Sequence, residues 1–99
     1  MYAMKKEYTK TGRSCKVTFE LVAAEAKQVS LLGDFNEWNS TANLMKRQKD
    51  GRFTATVSLK PGSEYKYRFL ADSQNWLNDP EADKFVPNSF GSEDSVVSV

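Results

Sequence analysis

The chain has no histidine and a single cysteine among its 99 residues. The usual zinc and transition-metal sites are therefore short of ligands, although carboxylate sites for calcium or magnesium stay open. No cofactor is expected. Cys15 has no partner for an internal disulfide, so nothing in the sequence calls for an oxidising compartment. An excess of one charge is also missing: fourteen Lys and Arg stand against thirteen Asp and Glu, a formal +1 at pH 7. That is too little for the counterion release on which most nucleic-acid binding depends, so a neutral ligand is expected and nucleic acid is not. Long apolar runs are absent as well. No stretch of secretory length follows Met1-Tyr2-Ala3-Met4-Lys5-Lys6, and nothing approaches the ~20 apolar residues of a membrane helix. The expectation is a cytoplasmic protein with no membrane partner.

What is present is aromatic. Phe, Tyr and Trp make up 12% of the chain and apolar residues 39%, a composition that favours an ordered fold, and the length sets a ceiling of one compact core. Residues 1 to 14 carry Lys5, Lys6, Lys10 and Arg13 without hydrophobic periodicity and read as a mobile arm, followed by one domain from 15 to 99. From Cys15 onward Val17, Phe19 and Leu21 alternate with Lys16, Thr18 and Glu20, the period of a half-buried strand. Val29, Leu31 and Leu32 form a second strand that Gly33-Asp34 ends. A third is brief, over 44 to 48, before the hairpin signal Asp50-Gly51.

The clearest strand follows, with Phe53, Ala55, Val57 and Leu59 alternating against Thr54, Thr56 and Ser58. Pro61-Gly62 makes the next turn. Tyr65, Tyr67 and Phe69 then alternate with Lys66, Arg68 and Leu70. After a turn at 72 to 75 comes a short piece around Trp76-Leu77, then an irregular section to Glu93, and Val96, Val97 and Val99 close the domain. About seven short strands without a convincing amphipathic helix predict an all-β, two-sheet sandwich.

Trp38 and Trp76 fall on turn-rich segments. An indole offers a flat apolar face and one N–H donor, which suits a surface that holds something partly apolar and partly wet. A glucose ring is such an object, with C–H groups for the ring face and a rim of hydroxyls. Arg68 and the polar run Ser92-Glu93-Asp94 would complete a polyol site if they lie close by. The alternative is that the two indoles plug the ends of the sandwich, since tryptophan is highly buried on average, and that Arg68 is an ordinary outward strand residue.

The run Val29-Ser30-Leu31-Leu32-Gly33-Asp34-Phe35-Asn36-Glu37-Trp38-Asn39 resembles the signature of the family-48 carbohydrate-binding modules. That family includes domains of isoamylases, glycogen branching enzymes and the AMP-activated protein kinase β subunit. The resemblance continues in order through Asp50-Gly51, Pro61-Gly62, Tyr65-Lys66-Tyr67-Arg68-Phe69, Trp76-Leu77-Asn78-Asp79-Pro80 and Phe90-Gly91-Ser92-Glu93-Asp94-Ser95-Val96-Val97. It implies an early-set immunoglobulin-like sandwich that binds α-linked glucans such as glycogen, starch or maltooligosaccharides. It also implies that Trp38 and Trp76 stack on glucose units, with Arg68 in the place of a usual lysine, Phe90 in that of a loop leucine, and Ser92 and Asp94 as a hydrogen-bonding pair. Three departures stand out. Asp94 replaces a common asparagine and so accepts but cannot donate. Phe90 is bulkier than leucine, and the turn at 72 to 75 is one residue longer than in the kinase subunit.

Catalysis is not expected. Glycosidases generally place two carboxylates about a glycosidic bond, and their common barrel takes about 250 residues. Asp34, Glu37, Asp72, Asp79, Glu81 and Asp83 fall in or near loops, where acidic residues usually serve turns. The expected partners are an α-glucan and, alongside it, a carbohydrate-active enzyme of the glycoside hydrolase family 13 type. A sandwich of this kind also serves as an adaptor docking a protein without glycan affinity. A single-strand nucleic-acid surface at Tyr65, Tyr67, Arg68 and Lys46 to Lys49 is the weakest reading, because the net charge is close to zero.

Overall fold

Cys15, Val17, Phe19 and Leu21 all point to the buried side of strand β2 (Cys15–Val22), while Lys16 and Val22 stay in solvent. Strand β5 (Arg52–Leu59) pairs antiparallel with β2 along its whole length, from Cys15 opposite Leu59 to Val22 opposite Arg52, and adds Phe53 and Leu59 to the same core. The computed structural model describes residues 4–23 and 25–99. With β1 (Lys5–Tyr8) and β4 (Lys46–Arg47), these strands make a first sheet in the order β1-β2-β5-β4.

The second sheet is built on β6 (Glu64–Ala71). It pairs with β3 (Val29–Gly33) along one edge; along the other, β9 (Glu93–Ser98) meets Glu64 to Tyr67 and β7 (Asn75–Leu77) meets Phe69 to Ala71. β8 (Lys84–Pro87) completes the sheet beside β9. Both sheets turn their apolar faces inward, and the core between them holds Phe19 and Phe53 from the first, and Val29, Leu31, Tyr67, Phe69 and Val97 from the second. Burying each large side chain there contributes about 1.5–3 kcal/mol. Phe19, Tyr67 and Phe69 meet edge to face, with Phe19 and Tyr67 centroids 4.8 Å apart. The expected all-β, immunoglobulin-like sandwich is what the chain forms. No helix of the described residues is long and apolar enough to cross a membrane.

Among the described residues nine strands replace the roughly seven expected, and the two extra ones lie at sheet edges. Lys5–Tyr8, read from the sequence as part of a mobile arm, is strand β1, with Lys6 opposite Val17 and Tyr8 opposite Cys15. Period-2 reading missed it because an edge strand carries lysines where a central strand carries apolar residues. Lys6 also reaches the second sheet, where its Nζ donates to Asp83 Oδ2 and to the Ser98 carbonyl, both at 2.8 Å. The sheets therefore begin ahead of residue 15, and residues 1–3 lie outside the described part. β8 lies within the section whose sequence pattern is irregular; its Phe85 is half exposed and Pro87 ends it, as suits an edge.

Gly33 decides how the chain leaves β3. A side-chain carbon there would come within 2.6 Å of the Lys66 carbonyl oxygen and 2.7 Å of the Phe35 ring. Its backbone is extended, so the requirement is for space rather than an unusual φ. Directly after it, Asp34–Asn36 form one turn of 3₁₀ helix that drives Phe35 against Phe19 and Tyr65, at 5.7 and 6.3 Å between ring centroids. Gly33→Ala should cost about 1–3 kcal/mol of stability through overpacking against a backbone atom that cannot step aside. Urea denaturation checks this, and an unchanged midpoint would contradict it.

Candidate functional site

Directly opposed residues of an antiparallel pair share a face, so the outward face of the second sheet can be read from its registers. On β6 that face carries Lys66, Arg68 and Leu70, opposite Val96, Leu32 and Trp76 respectively, while Asp94 lies opposite Val86. Leu32 and Val96 are buried even though they face away from the core. The outward face is therefore not a bare wet sheet. It forms the floor of an open groove of about 800 Å³, whose walls include Trp38 from the loop after β3, Trp76 from β7, and Asn88 and Phe90 from the β8–β9 loop.

Five of the six residues singled out in the sequence line this groove: Trp38, Arg68, Trp76, Phe90 and Asp94. Neither indole is a buried plug. Trp38 is half-buried, Trp76 keeps 46% of its surface exposed, and Phe90 keeps 90%. Ser92 is not among the lining residues. Its amide donates to Asn88 Oδ1 at 3.1 Å and its carbonyl accepts from the Asn88 amide at 3.0 Å, so it closes the loop that carries Phe90. Asp34, Lys66, Pro87, Asn88 and Ser89 also line the groove and were not picked out from the sequence. For Lys66 the signal was available, since it stands two residues before Arg68 on an alternating strand.

Each wall is held by its own local chemistry. Glu37 and Trp38 both take left-handed backbone conformations, at φ 56° and 58°. Such positions cost about 1–3 kcal/mol apiece and persist only when the surroundings fix them. Here the Trp38 amide donates to the Gly33 carbonyl at 2.9 Å. Asn36 adds to this: its Oδ1 accepts from the Gly33 amide, and its Nδ2 donates to the Leu31 carbonyl and Asn43 Oδ1. The indole is tied too, with Trp38 Nε1 donating to Asp34 Oδ1 at 3.1 Å.

Trp76 is positioned by the β6–β7 hairpin, whose turn residues Asp72 and Ser73 are left-handed at φ 51° and 59°. Asp72 Oδ1 anchors that turn by accepting the amides of Lys27 and Gln28, at 2.9 and 3.0 Å. Behind Trp76 the chain dips into the core. Asp79, only 2% exposed, accepts from the Tyr67 hydroxyl at 2.6 Å. Burial and then the Asp79 bond push the Tyr67 hydroxyl well above its ordinary pKa, so it stays a donor. The Asp79 amide donates to Ser95 Oγ, which donates to Asn78 Oδ1.

Arg68 places its guanidinium carbon 5.5 Å from the centroid of the Trp76 ring, a cation–π contact. Its Nε is buried and has no hydrogen-bond partner among the described residues. A buried donor left unmatched in this way is costly unless something else supplies an acceptor. The groove thus offers two indoles, one phenyl ring, the Arg68 side chain and carboxylates at its edge. Flat apolar faces with polar groups at their margins suit a ring that is apolar on its faces and polar around its rim. Among the described residues no group of three or more Cys, Asp or Glu side chains is placed to hold a metal ion.

Comparison with known proteins agrees with this chemistry. The family model described as Carbohydrate-binding module 48 (Isoamylase N-terminal domain) matches residues 6–82. The human 5'-AMP-activated protein kinase subunit beta-2 is 33% identical over 73 residues, covering 74% of this chain and 25% of that protein. The 1,4-alpha-glucan branching enzyme GlgB of Aquifex aeolicus is 37% identical over 78 residues, covering 76% of this chain and 11% of the enzyme. Its counterpart in Salinibacter ruber is 33% identical over 72 residues, again 11% of the enzyme. The chain spans a quarter or less of the length of these relatives.

The Phe90 loop is held chiefly by Asn88, whose Oδ1 accepts from the amides of Phe90 and Ser92 while its Nδ2 donates to Asp94 Oδ1 at 3.2 Å. Asn88→Ala should therefore speed amide hydrogen exchange at Phe90 and Ser92 by about tenfold or more and leave core amides such as Phe69 unchanged. Unchanged exchange at both loop amides would contradict that account.

Proposed function

Because the chain belongs to the carbohydrate-binding module 48 family, we propose that its groove holds a run of α-1,4- and α-1,6-linked glucan by stacking and hydrogen bonding, without cleaving it. The observation that carries the reading is the meeting of Trp38 and Trp76, 38 positions apart in sequence and both at least partly open, on the walls of one groove with Arg68 at its floor. Stacking an aromatic ring against a sugar face removes apolar C–H surface from water while leaving the hydroxyl rim free. Arg68 lines the groove, and the N–H groups at the tip of its guanidinium supply donors for a hydroxyl or ring oxygen. Phe90 extends the apolar surface from the opposite loop, and Asp94 retains one carboxylate oxygen to accept from a hydroxyl. Ser92 closes the Phe90 loop through its backbone, and its exposed hydroxyl adds a hydrogen-bonding group at the margin of the site.

The carboxylates in the groove suit binding better than bond cleavage. Both oxygens of Asp34 are engaged, one by Trp38 Nε1 and one by the Lys66 amide. Of the two carboxylates that line the groove this leaves Asp94 alone with an oxygen to offer, and cleavage takes a pair of carboxyl groups about the glycosidic bond. We place the protein in the cytoplasm, beside a glucan-processing enzyme of the glycoside hydrolase family 13 type, to which it brings substrate. An open groove covers only part of an oligosaccharide, so single-site affinity is modest, and a polymer raises it by offering many sites in succession.

Trp38→Ala and Trp76→Ala should each remove about 1 kcal/mol or more of binding, roughly fivefold or more in affinity for maltoheptaose, and abolish retention on a glycogen gel. Their unfolding free energies from urea denaturation should stay within about 1 kcal/mol of wild type, because both rings lie outside the core. Undiminished retention of both variants would refute the site.

A further inference from the structure

We infer that Asp34 is a positioning residue for the glucan site, acting on the ligand only through the orientation it imposes on the Trp38 ring; the binding part of this inference rests on the glucan reading above. The β3–β6 ladder ends where Gly33 meets Tyr67. One residue further on, the Lys66 amide donates to Asp34 Oδ2 at 2.9 Å, so a side chain takes over from the strand that has turned away. The other oxygen, Oδ1, accepts from Trp38 Nε1 at 3.1 Å. A single carboxylate therefore spans from the central strand of the second sheet to the edge of one indole.

The consequence for recognition is geometric. The Trp38 backbone is pinned by its own amide and by Asn36, but a pinned backbone leaves the ring free to rotate about its side-chain bonds. The bond to Asp34 removes that freedom. It fixes the indole edge against the sheet and so sets the ring face toward the groove before a ligand arrives. A platform set in advance loses less conformational freedom on binding. The same bond consumes the indole N–H, so in this site Trp38 meets the sugar with its face and not with its donor. An acceptor with two oxygens is required at position 34: the Lys66 amide and the indole N–H are both donors, and an asparagine offers one acceptor atom and one further donor.

Asp34→Asn keeps the shape and is expected to retain the Lys66 bond while releasing the indole. The spectrum of the ¹⁵N-labelled chain contains two indole N–H resonances, one for each tryptophan, and Trp38→Phe identifies that of Trp38. In Asp34→Asn the Trp38 indole resonance should shift and exchange faster with solvent, while that of Trp76 stays in place. Maltoheptaose affinity should fall about three- to tenfold. In a Trp38→Phe background, which keeps a ring but has no N–H, the same substitution should change affinity less than twofold, because the bond it breaks is already absent. Asp34→Ala tests both bonds together, with dispersed amide resonances as the check that it folds. An unmoved Trp38 indole resonance in Asp34→Asn would overturn the inference, as would an equal affinity loss in the two backgrounds. Absence of maltoheptaose affinity in the wild-type chain would overturn the glucan reading instead, and the indole resonance would still decide the bond.

Discussion

The hydrogen bond from the Tyr67 hydroxyl to Asp79, at 2.6 Å and shut away from solvent, ties the two ends of the groove to the same core. Tyr67 lies at the centre of β6 with its ring against Phe19 and Phe69. Asp79 follows Trp76 by three residues, and its amide donates to Ser95, the neighbour of Asp94. One buried donor thereby holds the segment leaving Trp76 and, through Ser95, the strand that carries Asp94. Removing either partner would leave a polar group stranded in an apolar interior, at a cost of about 1–3 kcal/mol or more if the group is charged. The network is satisfied throughout, which is the condition for a buried polar cluster to specify one arrangement.

Strand β6 divides its work by parity. Tyr67, Phe69 and Ala71 face inward and are buried, while Lys66, Arg68 and Leu70 face outward beneath the groove. The core fixes the twist and height of the strand, so the outward set inherits a rigid base without spending its own side chains on stability. The two tryptophans come to that base by different routes. Trp38 arrives on a tight loop with left-handed backbone at positions 37 and 38, stabilised by Asn36 and Asp34. Trp76 arrives on a short strand paired with β6, with Leu70 directly opposite. Loop variation at 34 to 43, 72 to 75 and 88 to 92 can therefore reshape the groove while the sandwich stays the same.

The central strands were legible from the sequence because both β2 and β5 alternate apolar and polar residues on a half-buried surface, and the turn that carries the chain from β5 in one sheet to β6 in the other was marked by Pro61-Gly62. The edge strands β1 and β8 were not, since Lys5-Lys6-Glu7-Tyr8 and Lys84-Phe85-Val86-Pro87 carry no such alternation and gain their place by pairing and by ion pairs such as Lys6 with Asp83 and Lys84 with Glu64. At the groove, Trp38, Arg68, Trp76, Phe90 and Asp94 were legible as residue types on turns and on one outward strand face, and by their resemblance to a known family. Asn88 and Asp34 were not. Their importance lies in bonds to partners that are near only after folding, such as the Lys66 amide 32 positions from Asp34. Ser92 lies outside the groove lining and closes the Phe90 loop through its backbone, a role its residue type did not announce.

The most direct measurement is a chemical-shift map of the ¹⁵N-labelled chain titrated with maltoheptaose. The account predicts progressive shifts at both indole N–H groups and at the amides of Lys66, Arg68, Asn88 and Phe90, with the outward face of the β1-β2-β5-β4 sheet unmoved. Shifts confined to that other sheet, or a spectrum unchanged at millimolar maltoheptaose, would contradict it.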